Sequence, residues 1–529
     1  MTEYVISGIS LPLDSSPEEA CAAAAKKLRK MGIAAKKLSL YRRSVDARDR
    51  HEIKLVYAVR FSTEGTLKKE ILQKYALGEV ASDTLDIKYG REIMNARPVV
   101  IGMGPCGIFA ALLLAEHGYR PILLERGDAV EDRVRAVDTF YKKGVLDTDS
   151  NIQFGAGGAG TFSDGKLVTR INDSRCAFVL SKLYELGAPK EILTMAKPHI
   201  GTDILREVVS RAADRIKELG GEIHYRTRFI GFGEYKNGTR VLHTSSGDFS
   251  AGATVLAIGH SARDTYGMLL DGGYSIEAKD FSVGLRIEHL KSDIDKALYG
   301  DFAGHSALPY AEYSLSCNTK VRGVYTFCMC PGGEVVAGAS EEGALCVNGM
   351  SSYARNGRNS NSALCVSVFR GDYGGTPEDA IEFQRSLEKK AFALGGGDYS
   401  APYSTVGQFL GTSPVKTGRV TPTYMDGKVK EANLRELFPK VLGDTLADGL
   451  AVFDKKIKGF AAADALLSGV ETRTSAPLRI LRDDTLTAIG ESDIYPGGEG
   501  AGYAGGITSA AVDGIRIAEK IMARYKPLV

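Results

Sequence analysis

An apolar run that breaks into glycines, Val99-Val100-Ile101-Gly102-Met103-Gly104-Pro105-Cys106-Gly107, constrains this chain more than any other stretch. Its spacing is G-x-G-x-x-G, and the apolar segment Ile108 to Ala115 follows. Gly102 permits a tight turn out of a buried strand. Gly104 lets backbone approach a ligand, and Gly107 lets the next helix pack close to the strand. Free N–H groups at that helix start suit a pyrophosphate. Pro121 to Glu125 reads as the next strand, with Glu125 spaced to accept hydrogen bonds from a ribose diol. The bland alternative is a tight βαβ turn that binds nothing. Strand, apolar helix and terminal carboxylate in succession favour a dinucleotide, so the expected class is α/β with a Rossmann-like three-layer domain.

A second glycine turn, Gly498-Glu499-Gly500-Ala501-Gly502-Tyr503-Ala504-Gly505-Gly506, precedes an expected helix from Gly506 to Tyr525. A turn of this kind closes over the far end of a flavin, and the positive end of its helix favours negative charge at the flavin N1–O2 edge. NAD requires no such second turn, so FAD is the expected cofactor; an ordinary helix start is the alternative. Between the two turns lies Phe154-Gly155-Ala156-Gly157-Gly158-Ala159-Gly160-Thr161-Phe162-Ser163-Asp164-Gly165-Lys166. Its small residues would let backbone run beside the ribityl chain. Thr161, Ser163 and Asp164 offer hydrogen bonds. Lys166 offers a cation to flavin or substrate, or is a surface charge. Ala253 to Gly259 reads as another buried strand stopping at a glycine. No second fingerprint for NAD(P)H is present, since Gly231-Phe232-Gly233 lacks a third glycine. Transient NAD(P)H docking stays open.

On these stretches the chain resembles the uncharacterised bacterial FAD-dependent dehydrogenase family, a branch of the glutathione-reductase-type flavoproteins. The matching stretches are Gly102 to Gly107, Glu125-Arg126-Gly127, Gly157 to Lys166, Phe327-Cys328-Met329-Cys330-Pro331-Gly332-Gly333, Asn348-Gly349-Met350-Ser351, Glu471 to Pro477 and the final glycine turn. The resemblance implies an FAD domain, an interleaved second domain and oxidoreductase chemistry, with no particular substrate. Motifs and resemblance together set the first contacts with FAD at Gly102, Gly104, Pro105, Cys106, Gly107, Glu125 and Arg126. The middle cluster adds Gly158, Ala159, Gly160, Thr161, Ser163, Asp164, Gly165 and Lys166; the last turn adds Glu499, Gly500, Tyr503, Ala504, Gly505 and Gly506. By resemblance alone, Ala257, Ile258 and Gly259 pass near the phosphates or ribose.

Four segments are expected. Residues 1–95 read β-α-β-β-α-(β), a ferredoxin-like α+β domain, with Ser16 capping a helix that opens at Pro17. Residues 96–279 begin the FAD-binding domain, with helices near Cys176 to Leu186 and Asp203 to Leu219. Residues 280–411 form an interleaved α+β substrate domain: strands near Val283 to Ile287, Val324 to Cys330 and Val335 to Ala339, a polar loop from Ser351 to Ser362, and a helix from Pro377 to Leu394. Residues 412–529 return to the FAD fold through helical segments near Leu434 to Lys455.

Catalytic candidates are few. Cys328 and Cys330 lie two apart, on one face of a strand, and such a pair could exchange electrons with flavin. A bridge across one residue is strained, and two small buried side chains are the plainer reading. Paired C-x-x-C spacing is lacking, so no metal is expected. Arg473 precedes a strand and faces a flavin cleft if the motif holds. Arg355, Arg358 and Asn361 sit in the polar loop, as an anion clamp or as a solvated segment. His260 contacts FAD, serves as an acid, or bonds locally.

Composition narrows the setting. The 529 residues carry a net charge of +2, so no global field selects a partner. Eight scattered Cys do not form a disulfide scaffold. No signal peptide or membrane-length apolar run is apparent, so a cytoplasmic protein is expected. Between Lys26 and Arg60 stand twelve Lys or Arg against three Asp or Glu. That face suits nucleic acid or an acidic protein, or is merely solvated. The expected function is an FAD-dependent oxidoreductase passing hydride between an unidentified small substrate and flavin N5. The alternatives are an RNA-directed flavoprotein using the basic domain and a non-catalytic flavin-binding module.

Overall fold

The computed structural model describes residues 2–80, 82–412 and 418–528. The N-terminal helix Pro17–Lys30 starts where the sequence predicts. Ser16 Oγ accepts from the Glu19 N–H at 3.2 Å, and the Glu19 carboxylate accepts from the Ser16 N–H at 2.8 Å. Ala20, Ala24 and Leu28 form its buried stripe against a four-stranded antiparallel sheet. The strand order there is Lys36–Asp46, Lys54–Thr63, Thr2–Pro12, Gly78–Glu79.

Next comes a five-stranded parallel sheet, in the order Ile494–Pro496, Ala253–Leu256, Pro98–Ile101, Ile122–Leu124, Glu222–His224. Two of the three inner strands, Ala253–Leu256 and Pro98–Ile101, are buried at every residue, as strands covered on both faces must be. Val100 joins a core with the helices Pro105–Glu116, Thr202–Glu218 and Ile507–Arg524. Val99 and Ile101 point the other way, into a core with Phe229, Leu242 and Tyr266. The first and last of those helices touch closely: a Cβ on Gly514 would lie 2.1 Å from the Cys106 carbonyl oxygen.

A seven-stranded sheet forms the second large layer, in the order Ser316–Asn318, Gly323–Cys330, Asn359–Val368, Phe281–Leu290, Leu466–Glu471, Ala401–Thr405, Val429–Glu431. This sheet corrects three sequence expectations. It does not end at residue 411, because Val429–Glu431 and Leu466–Glu471 belong to it. The helix Lys440–Lys456, expected to lead back to the FAD fold, packs on its strands instead. An apolar helix face cannot say which sheet it covers. The polar segment 351–362 is also only partly a loop: Asn359, Ser360, Asn361 and Ser362 open a fully paired strand and are buried. The chain returns when Leu478–Ile480 pairs with Ile276–Ala278 and Ile494–Pro496 joins the parallel sheet. Among the described residues no helix is long and apolar enough to cross a membrane.

Candidate functional site

The carboxyl ends of four parallel strands open on one cavity of about 310 Å³, delivering Gly102, Glu125, Ala257 and Gly497 to it. That crevice is where an open parallel sheet presents ligands to backbone donors. The glycines around it do different work. Gly102 has φ +97°, and a Cβ there would lie 2.3 Å from the Ala257 carbonyl oxygen; a Cβ on Gly107 would lie 1.9 Å from the Gly102 carbonyl oxygen. Both are demanded by packing. Gly104, Gly259, Gly505 and Gly506 line the cavity with open space where a side chain would stand.

The helices starting at Pro105 and Ile507 both begin at the cavity wall. Neither has a side-chain N-cap or an acidic residue in its first turn. Their leading N–H donors and positive ends therefore face the cleft unspent, which suits an extended ligand with anionic and polar groups.

Glu125 is more engaged than its sequence position suggests. Its Oε2 accepts from the Met103 N–H at 2.8 Å, and its Oε1 accepts from Gly127 and Gly155 N–H at 2.9 Å each. The carboxylate thus ties three turns around the cleft and keeps lone-pair capacity on Oε2. Arg126 lines the cavity while bound to Asp149 at 3.1 Å and Asp264 at 2.7 Å.

Pro105, Cys106, Gly158, Ala159, Gly160, Ser163, Asp164, Gly165, Lys166, Ile258 and Glu499 line the same cavity. Gly107, Thr161, Gly500, Tyr503 and Ala504 do not. Thr161 donates to the Ala156 carbonyl at 3.0 Å. Gly500 packs on Gly259, where a Cβ would come within 2.6 Å of backbone. Tyr503 accepts from the Arg482 N–H at 3.2 Å. These residues build the turns rather than the lining.

Lys166 is no free surface charge: its Nζ lies 2.5 Å from Asp164 and 3.2 Å from Glu312. Arg355, expected in an anion clamp, closes the same cluster, donating to Asp164 Oδ1 at 2.9 Å and pairing with Glu312 at 2.7 Å. Asn361 is buried and accepts from Arg286 Nε at 2.8 Å, while Arg358 donates to the Arg419 carbonyl at 2.6 Å. Arg355 and Asn361 are therefore held in buried contacts, while Arg358 stays exposed with a bond to backbone. Arg473 lines the cavity but its guanidinium grips Glu388, which Arg263 grips from the other side at 2.8 Å. Burial alone would raise the Glu388 carboxyl; Arg263 and Arg473 outweigh it and hold the group below the usual carboxylate range. His260 is pushed down to about 3 by burial and by Arg473 and Arg263, and so is neutral at physiological pH. It shares a 2.9 Å hydrogen bond with the neighbouring Ser261 hydroxyl.

The opposite wall of the cleft comes from the second sheet through Phe327, Cys328 and Glu471, from the segment just after it through Arg473 and Thr474, and from a separate two-stranded sheet, Glu334–Ala337 with Val347–Met350, through Asn348. Two acids lining the cleft, Glu471 at the end of a strand of the second sheet and Glu499 in the last glycine turn, are raised toward neutrality. Burial raises Glu471 to about 7 against the pull of Arg286, and burial raises Glu499 to about 7 against the Gly506 N–H and Lys279. The sequence reading assigned Glu471 no role. The only signal was its place in a quoted motif, because a carboxylate's burial cannot be read locally. Gln153 and Arg228 were missed for the same reason: tertiary packing alone brings them to the cavity.

Residues 280–474 match the family described as FAD-dependent protein, C-terminal domain-like, and residues 4–62 match a domain of unknown function (DUF8436). An uncharacterised protein of Clostridium beijerinckii is 46% identical over 527 residues, covering 98% of each chain. Among solved structures, CtdE in complex with FAD aligns with 81% of this chain and 86% of its own at 10% identity and a TM-score of 0.32. Glycine oxidase from Geobacillus kaustophilus aligns with 83% and 94% at 11% identity and 0.31. Scores this low decide neither fold nor chemistry.

Proposed function

The chain belongs to one family with the clostridial protein, FAD is its cofactor, and from that premise we propose that it is an FAD-dependent oxidoreductase acting on a small molecule. The observation that carries the reading is the junction in the cleft. Two uncapped helix starts and four strand ends form one side, and residues of the second sheet form the other. The donor set fits FAD: backbone N–H groups for the pyrophosphate, glycines that leave its path open, and a positive helix end at Ile507. When bound, FAD supplies two-electron transfer at its isoalloxazine ring.

The protein's own residues bind, orient and handle protons. Gly102 to Cys106 and Gly158 to Lys166 would hold the nucleotide side. The helix end at Gly506 would favour negative charge near it. Glu471 and Glu499, each able to hold or release a proton near neutral pH, are the acids best placed to serve substrate. Lys166 would set a cation in the same space.

For architecture, we read residues 1–95 as ferredoxin-like, on its helix and strand order, and the parallel sheet as Rossmann-like of the glutathione-reductase type. The second, substrate-facing domain is drawn at 280–474, since its sheet runs that far.

Anaerobic titration of the FAD-loaded protein with NADH, NADPH and a metabolite panel, followed by flavin absorbance, tests the reading. Bleaching by any of them supports an oxidoreductase. A flavin that only a chemical reductant bleaches supports the non-catalytic module. RNA that stays bound until salt is raised, and is lost on deleting residues 1–95, supports the RNA-directed alternative.

A further inference from the structure

The strand Gly323–Cys330 loses register with its neighbour Asn359–Val368 between Phe327 and Cys330. Cys328 sits in that bulge with φ +44°, a left-handed conformation that costs a non-glycine residue energy. The bulge turns Cys328 into the flavin cleft, where it is part-exposed, while Cys330 stays buried behind it. Arg286, wholly buried, reaches both: its Nη2 donates to the Cys328 carbonyl at 2.6 Å and to Cys330 Sγ at 3.4 Å. The Cys330 thiol in turn lies 3.3 Å from the Cys328 carbonyl oxygen. A flat strand would hold two alternate Cα atoms about 6.6 Å apart, at the upper edge of what a disulfide spans. A left-handed residue breaks that extension. Hydrogen bonding from Cys330 lowers the Cys328 thiol, and Arg286 and Lys166 add to that against burial; the partner thiol is raised.

Resting on the flavin reading above, we propose that Cys328 and Cys330 form a dithiol–disulfide couple beside the flavin, and that the outside substrate is a small disulfide with an apolar body. The Cys328 thiolate attacks one substrate sulfur. A Cys328–sulfur bond forms, the substrate S–S bond breaks, and the first thiolate leaves, taking the Cys330 proton. Cys330, its anion held by Arg286, then attacks Cys328 Sγ and releases the second thiolate. Two protein sulfurs have lost two electrons and the substrate has gained them. Reduced FAD, the co-reactant, would supply the two electrons and one proton that restore the Cys328 thiolate and the Cys330 thiol. The apolar body is argued from the mouth. A hollow of about 320 Å³ shares Phe327 and Thr474 with the cleft; the rings of Phe281, Tyr325 and Phe369 line it, with Asp280 and the hydroxyls of Ser282, Ser367 and Ser475 between them. Phe327 and Phe369 are 44% and 43% exposed.

The test uses the reduced holoprotein, bis(2-hydroxyethyl) disulfide and dibutyl disulfide as probes, hydrogen peroxide in parallel, acid quenching, alkylation and peptide mass spectrometry. The expected product is a Cys328–Cys330 peptide two mass units lighter and unalkylated, formed at least tenfold faster with the dibutyl probe, whose leaving thiolate is the more basic of the two. Cys330→Ala should stop at a probe adduct on Cys328, and Cys328→Ser should give no adduct at position 330. Photoreduced flavin should be reoxidised by the probe in the wild type and at least tenfold more slowly in Cys328→Ser, with folding of each variant checked by circular dichroism. Both cysteines still alkylatable, a stable adduct on Cys328 in the wild type, or oxidation by peroxide alone would overturn the proposal. The mass readout needs no flavin signal, so a protein that binds no FAD would sink the oxidoreductase reading separately.

Discussion

At the residue scale, this molecule spends its charges in buried clusters. Glu388 receives two guanidinium groups and the Thr472 hydroxyl at 2.6 Å, with its side chain fully buried. Removing its charge leaves Arg473 without its carboxylate partner in the interior and Arg263 with Glu341 alone at 3.0 Å, so Glu388→Gln should cost about 3–5 kcal/mol, measured by urea denaturation. Glu499 acts with the opposite sign. Its carboxyl is raised to about 7 in the folded chain against about 4.3 in an unfolded one. Between those pH values the folded state keeps a proton that the unfolded state has released, so stability falls as pH rises through that window. Glu471 shares the sign. In FAD-free protein, Glu499→Gln should therefore shrink, and not abolish, the drop in Tm between pH 4.5 and pH 7.5; an unchanged drop would show that Glu499 does not titrate there.

At the element scale, the fingerprint turn separates two demands that its spacing merges. A methyl on Gly107 meets the Gly102 carbonyl oxygen at 1.9 Å, so strand and helix must part. A methyl on Gly104 meets nothing within 4 Å, at an ordinary φ of −76°. Gly107→Ala should lower stability by about 1–3 kcal/mol, the usual effect of overpacking. Gly104→Ala should leave the Tm of the FAD-free protein within a degree or two while weakening FAD affinity at least tenfold, read by fluorescence titration. Equal losses of stability in both would contradict the distinction.

At the scale of the whole molecule, the cleft gathers residues from the parallel and seven-stranded sheets and from two small ones, through Phe229 and Asn348, and leaves out the N-terminal sheet. Among the described residues none that lines it precedes Ile101, whereas Phe327, Cys328 and Glu471 come from the second sheet and Arg473 and Thr474 directly follow it. A ligand that binds only the folded state stabilises what it touches. Adding FAD should slow amide hydrogen exchange in Gly323–Cys330 and Leu466–Glu471 as strongly as in Pro98–Ile101. Exchange in Thr2–Pro12 should change little. Protection confined to the parallel sheet would mean that the second sheet does not close on the cofactor.

Local chemistry made much of this protein legible from its sequence. The Ser16–Glu19 box, the helix Pro377–Leu394 and the glycine turns at Gly102 and Gly506 each carry their own stereochemical instructions, because caps, prolines and missing Cβ atoms act within a few residues. What a strand or polar side chain faces is a long-range matter. Hydrophobic patterning alone could not place Lys440–Lys456 on the second sheet, nor turn Asn361 and Arg355 inward as ion-pair and hydrogen-bond partners. Nor could it bring Glu471 to the cleft or open a bulge at Cys328. Those outcomes depend on which distant segments share a core, and only the folded chain decides that.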